Sequence, residues 1–94
     1  MSNKFADVPI EKETTILFQQ QATLDSYDVL YQKWFWDGIT AESIIFSTAD
    51  VASLGDDEIK TLVRSSPLVK KDSSITMNHG KSGFTFVNFN FETE

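Results

Sequence analysis

The one histidine of the chain, His79, sits in Asn78-His79-Gly80-Lys81-Ser82-Gly83, the densest grouping of chemically capable side chains in the sequence. Nucleophilic catalysis there needs a serine beside the imidazole and an acid to orient the ring. No Gly-x-Ser-x-Gly elbow supplies that serine, and cysteine is absent. A Ser/His/Asp arrangement would have to borrow His79 from a turn, so His79 reads as a solvated turn residue. The Gly80-Lys81-Ser82 run also invites comparison with a phosphate loop. Such a loop requires a glycine five residues before the Gly-Lys pair and a helix after it. Here Ile75 occupies the first position and a phenylalanine-rich, β-prone run follows.

Acidic residues offer no better route. Asp50, Asp56, Asp57 and Glu58 lack the alternating oxygen ligands, turn glycine and distal glutamate of a calcium loop. Without cysteine, and with a single imidazole, a zinc site has no ligand set. The sequence therefore predicts no catalytic residue, no metal site and no cofactor, and the expected molecule is not an enzyme.

At 94 residues the chain is sized for one core of modest volume. The reading is a flexible amino-terminal arm over 1–12 followed by a single compact domain over 13–94. The absence of cysteine suits a reducing compartment. Met1 to Val8 carries Lys4 and Asp7 and no apolar run, unlike a secretory signal. No stretch of 18 apolar residues exists to span a bilayer. Together these predict a cytoplasmic protein with no membrane partner.

The net charge of −6 disfavours non-specific attraction to phosphate backbones and favours a basic protein partner. The sign is uneven along the chain. Lys60, Arg64, Lys70, Lys71 and Lys81 face one acid, Asp72, between positions 60 and 81, while the rest holds three cations and 13 acids. That local excess marks a candidate contact patch.

The fold expected from these segments is α+β, with helices packed on a small sheet that contains a β-hairpin. Thr14 to Ala22 leans towards helix, with strand as the alternative. Ser26 to Trp36 reads as the main helix, with Asp25 as N-cap and Gly38 as stop, because Tyr27, Leu30, Tyr31 and Trp34 fall on one stripe at 100° per residue. Val29 and Trp36 fall off that stripe, as a second buried face or as a partner contact. A short strand over 43–46 precedes a brief helix from Thr48 to Leu54, capped by Ser47 and Asp50. Gly55 separates it from a helix opened by Asp56-Asp57-Glu58 and closed before Pro67. Ile59, Leu62 and Val63 form the buried stripe of this helix, and Lys60, Thr61 and Arg64 point away. Ser74 to Met77 and Phe84 to Phe91 flank turn residues and form the hairpin. The second strand is apolar on both faces, which requires either a central position or a bulge near Phe86.

This order of elements, over roughly residues 26 to 91, is similar to the winged-helix variant of the helix-turn-helix. The similarity is one of topology, without a sequence fingerprint. It implies a recognition helix presenting Lys60, Thr61 and Arg64 and a wing tip presenting His79 and Lys81. The acids at that helix's amino-terminal end oppose phosphate. The leading expectation is accordingly a non-catalytic regulatory or inhibitory module that binds another protein, and the alternative is a duplex DNA-binding regulator. Homo-oligomerisation is compatible with either. Candidate partner-binding residues are Val29, Trp36, Lys60, Thr61, Arg64, Lys70, Lys71, His79 and Lys81.

Overall fold

The structure, a computed structural model, describes residues 4–10, 12–80 and 82–93. Five antiparallel strands form one sheet: β1 (Thr15–Leu24), β2 (Tyr27–Trp36), β3 (Ile39–Ser47), β4 (Thr76–His79) and β5 (Phe84–Thr93). Their order across the sheet is β1-β2-β3-β5-β4. One α-helix, α1 (Asp56–Arg64), and a 3₁₀ turn (Thr48–Val51) lie in the connection from β3 to β4. The domain is mainly β, which overturns the expected α+β class with several helices on a small sheet.

The correction begins at residues 26–36. From Tyr27 onward the expected helix is β2, and the segment over 14–22 is likewise strand from Thr15, within β1. The turn chemistry explains why. Asp37 and Gly38 both have positive φ, 50° and 77°, the requirement of a two-residue type I′ hairpin turn. Gly38 thus joins two strands and stops no helix. Asp25, proposed as an N-cap, also has positive φ, 56°, in the two-residue loop that joins β1 to β2. With β2 extended, the two residues that fitted no helical stripe fall into place. Tyr27, Val29 and Tyr31 share one face, while Leu30, Gln32, Trp34 and Trp36 share the other. The leading helix of the winged-helix order is therefore absent, and strand stands in its place.

The remaining expectations fare unevenly. The segment after β3 is a single 3₁₀ turn over Thr48–Val51, shorter than the expected helix, and Ser47 makes no side-chain cap. Asp50 instead accepts a 2.7 Å hydrogen bond from Lys4 Nζ. Helix α1 forms where its acids and apolar stripe place it, with Ile59 and Val63 buried. Its first turn is closed by the Glu58 carboxylate, which accepts the Gly55 N–H at 3.3 Å. The β4–β5 hairpin is present with shifted bounds: Ser74 and Ile75 precede β4, and Asn78 and His79, expected in the turn, are strand residues paired with Phe86 and Thr85.

Helix α1 covers one face of the sheet. Val29, Ile44, Phe46, Val87 and Phe89 from the sheet, with Val51, Ile59 and Val63, make the principal core. Tyr27 meets Phe46 edge-on, ring centroids 6.0 Å apart. On the opposite face the described amino-terminal segment inserts Phe5 beside Leu30, Ile45 and Phe84, with a 6.1 Å spacing between the Phe5 and Phe84 rings. No helix lies over the rest of that face among the described residues; Gln32, Ala41 and Ser43 are buried there, and Trp36 is exposed.

Strand β5 is apolar on both faces because it is central, between β3 and β4; the expected alternative, a bulge near Phe86, is not found. Alternation continues unbroken at Phe86. The strand's bulge sits where Asn90 and Phe91 together oppose Ala41, between the Glu42–Phe89 and Thr40–Glu92 pairs. Asn90 takes a left-handed φ of 54°, which asparagine tolerates better than most residues. The extra residue keeps Glu92 on the α1 side, next to Lys70, and turns Phe91 to the open side.

On the α1 side, Tyr31 donates its hydroxyl hydrogen to Glu42 Oε1. Burial, and then the bond to this carboxylate, push Tyr31 ionisation above the ordinary tyrosine range. A group whose folded pKa is raised favours the folded state below its unfolded pKa, about 10 for tyrosine. That contribution is lost as pH climbs towards the folded value. The urea midpoint is expected to fall as pH rises from about 9.5 to 11, and to fall less in Tyr31→Phe, which has nothing to ionise there. Equal pH dependence in the two proteins would rule this origin out.

Candidate functional site

The open face carries a groove of about 830 Å³. Its floor follows from the strand register. Gln32 pairs with Ser43, Ser43 with Asn88 and Asn88 with Thr76, so one row of uncharged hydrogen-bonding side chains crosses β2, β3, β5 and β4. The flanking rows are apolar. Leu30, Ile45 and Phe86 lie to one side, and Ile16, Trp34 and Ala41 to the other. Trp36 extends the aromatic side and is 43% exposed, and Pro9 and Ile10 of the amino-terminal segment contribute to the wall.

Within the row the hydrogen bonds run in one direction. Trp34 Nε1 donates to Ser43 Oγ at 2.7 Å, and Ser43 Oγ donates to Asn88 Oδ1 at 2.5 Å. Asn88 Nδ2 then donates to Thr76 Oγ1 at 3.3 Å. Gln32 is the exception. It is 4% exposed, and its Nε2 has no acceptor and no contact with solvent. An unmet buried amide donor opposes folding by roughly 1–3 kcal/mol, so its presence in an otherwise satisfied row requires a reason.

Among the described lining residues no carboxylate is present, and Lys12 is the one formal charge. Ser43 is 1% exposed, and its hydroxyl is committed to Trp34 and Asn88. His79 has the partners of a catalytic arrangement in the wrong setting. Its Nε2 lies 2.9 Å from Asp56 Oδ1 and its Nδ1 3.3 Å from Thr85 Oγ1. Thr85 is fully buried, so no substrate carbonyl reaches its hydroxyl. The trio joins β4 to the start of α1. Among the described residues no three His, Asp or Glu side chains gather as a metal site, and no helix is long and apolar enough to cross a membrane.

The residues singled out from sequence are dispersed. Val29 is 2% exposed and belongs to the core behind the sheet. Trp36 lies on the groove, and His79 and Gly80 close one end of it. Lys60, Thr61 and Arg64 are on α1, across the sheet from the groove. Thr61 Oγ1 is turned back onto Asp57 O at 2.8 Å. Arg64 fastens the following loop through Lys71 O at 3.4 Å and Ser73 O at 2.9 Å. Lys70 is ion-paired with Glu92, a bond that raises the lysine pKa and lowers that of the glutamate. Lys71 is exposed, and Lys81 falls outside the described residues.

The cation excess between 60 and 81 is thus partly spent on internal contacts. Gln32, Trp34, Ser43, Phe86 and Asn88 were not identified from sequence. Their signal was a period of two in Leu30, Gln32, Trp34 and Trp36, hidden beneath a helical stripe that fits overlapping residues. Comparison of the chain with protein-family models, with curated proteins and with solved structures returned no match.

Proposed function

We propose that the protein is a non-catalytic interaction domain that binds another protein through the open face of its sheet. The observation that supports this reading is the pairing of exposed aromatic surface with an uncharged polar row on a face that no helix covers. Aromatic residues are enriched among the anchors of protein interfaces, and a surrounding apolar rim excludes water from the hydrogen bonds between partners. The net charge of −6 turns away polyanions and suits a neutral or basic partner. A regulatory or inhibitory role follows if the partner's own activity depends on the segment that is covered.

A photo-crosslinking pair tests the surface. Benzoylphenylalanine replaces Trp36 in one protein and Thr61, on the opposite face, in another, and both are irradiated in lysate of the source cell. Discrete protein adducts are expected from position 36 and not from position 61. Adducts from 61 alone, or equal adducts from both, would remove the open face from the proposal.

A further inference from the structure

We infer that the groove is the seat of an extended, uncharged peptide segment of the partner, about four residues long, which lies along the Gln32–Ser43–Asn88–Thr76 row and gives a backbone carbonyl to the unpaired Gln32 amide. This inference rests on the open face being the binding surface and goes further, to the chemistry of what lies there. A peptide unit carries one N–H donor and one carbonyl acceptor, and the side-chain amides of Gln32 and Asn88 offer matching groups, an NH2 with two donors and a carbonyl oxygen. No charge in the row selects an ion, and no side chain in it discriminates against a neutral backbone.

The geometry on either side of the row favours the same occupant. An extended chain projects alternate side chains to opposite sides. A peptide laid along this row would place one set over Phe86 and the other over Trp34 and Trp36. The row spans three inter-strand gaps, roughly 14 Å at ~4.8 Å per gap, which is the length of about four residues at ~3.4 Å each. A polyhydroxyl ligand would meet apolar walls on both flanks.

Gln32 is the most specific part of the argument. Its Nε2 is the one buried side-chain donor without an acceptor among the described residues. The terminal torsion of glutamine is soft. Gln32 is among the residues that line the groove, so a peptide carbonyl seated there would be the acceptor for this donor. The missing acceptor is thereby assigned to the partner.

The two tryptophans of the chain, Trp34 and Trp36, both line the groove, so intrinsic emission reports its occupancy directly. A phage-displayed library of random linear seven-residue peptides is panned against the full chain, and enriched sequences are titrated as free peptides. The expected outcome is enrichment of uncharged sequences that shift tryptophan emission. Gln32→Leu should weaken them at least tenfold, whereas Thr61→Ala, across the sheet, leaves affinity within twofold. Should Gln32→Leu not fold, amide shift mapping on the unaltered protein serves instead, with changes expected at Gln32, Ser43 and Asn88. Absence of enrichment, undiminished affinity in Gln32→Leu, or shifts centred on α1 would overturn the inference. So would a neutral oligosaccharide, maltoheptaose, that shifts emission where no peptide does. If crosslinks form from position 36 while no linear peptide is enriched, the binding face stands and the extended-peptide assignment falls.

Discussion

Phe46→Ala is expected to lower the unfolding free energy by about 3–5 kcal/mol, the range for removing a buried aromatic ring. Phe46 has no exposed surface and belongs to the cluster that joins the sheet to Ile59 and Val63 of α1. Its ring also receives Tyr27 edge-on. A domain of this length is stable by roughly 5–14 kcal/mol in total, so the variant should sit near the edge of folding at 25 °C. Urea denaturation followed by circular dichroism measures the change. Phe18→Ala is the matched control, because Phe18 is 50% exposed and touches Tyr31 from the surface. A loss below about 1.5 kcal/mol for Phe46→Ala would contradict the placement of this ring at the centre of the α1-side core.

Asn90→Ala is expected to cost about 3 kcal/mol, and more than Asn90→Gly. Asn90 is 5% exposed, and its side chain satisfies three groups on two separate segments, the loop after α1 and β3. Its Oδ1 accepts the Lys70 N–H at 2.8 Å, and its Nδ2 donates to Leu68 O at 2.7 Å and to Glu42 Oε2 at 2.8 Å. Its own N–H donates to Ser73 Oγ at 2.6 Å. Truncation leaves a buried N–H, a carbonyl and a carboxylate oxygen without this partner, at roughly 1–3 kcal/mol for a fully buried group and less where water enters. Alanine adds strain at φ 54°, which glycine does not. The difference between the two variants therefore separates backbone strain from lost hydrogen bonds. If alanine proved the milder replacement, the left-handed bulge would not be a source of strain.

Legibility in the sequence followed the length over which a signal acts. Helix α1 was legible because its acids, apolar stripe and terminating Ser-Ser-Pro act within one element. The β4–β5 hairpin was legible because β-prone residues flank a run of turn formers. The segment from 26 to 36 was not, since Tyr27, Leu30, Tyr31 and Trp34 satisfy a helical stripe while the same residues also alternate. Two positions held the deciding information. Asp37-Gly38 is a type I′ turn signal, and Val29 and Trp36 were the residues that the helical reading could not place. The groove was missed for the same reason, because its tryptophans and Gln32 share a face only when β2 is extended. The row that floors it spans positions 32, 43, 76 and 88, and no local pattern links residues so far apart.

By itself the sequence determined the charge, the lack of cysteine, the scarcity of catalytic groups and those elements whose causes are local. Only the tertiary structure decided that β1 and β2 are strands, that the bulge falls at Asn90, and that Gln32, Ser43, Asn88 and Thr76 become neighbours. The physical reason is that a strand is stabilised by partners from elsewhere in the chain, whereas a short helix satisfies most of its backbone within itself. Register between distant strands then sets which side chains share a face, and with it the surface offered to a partner.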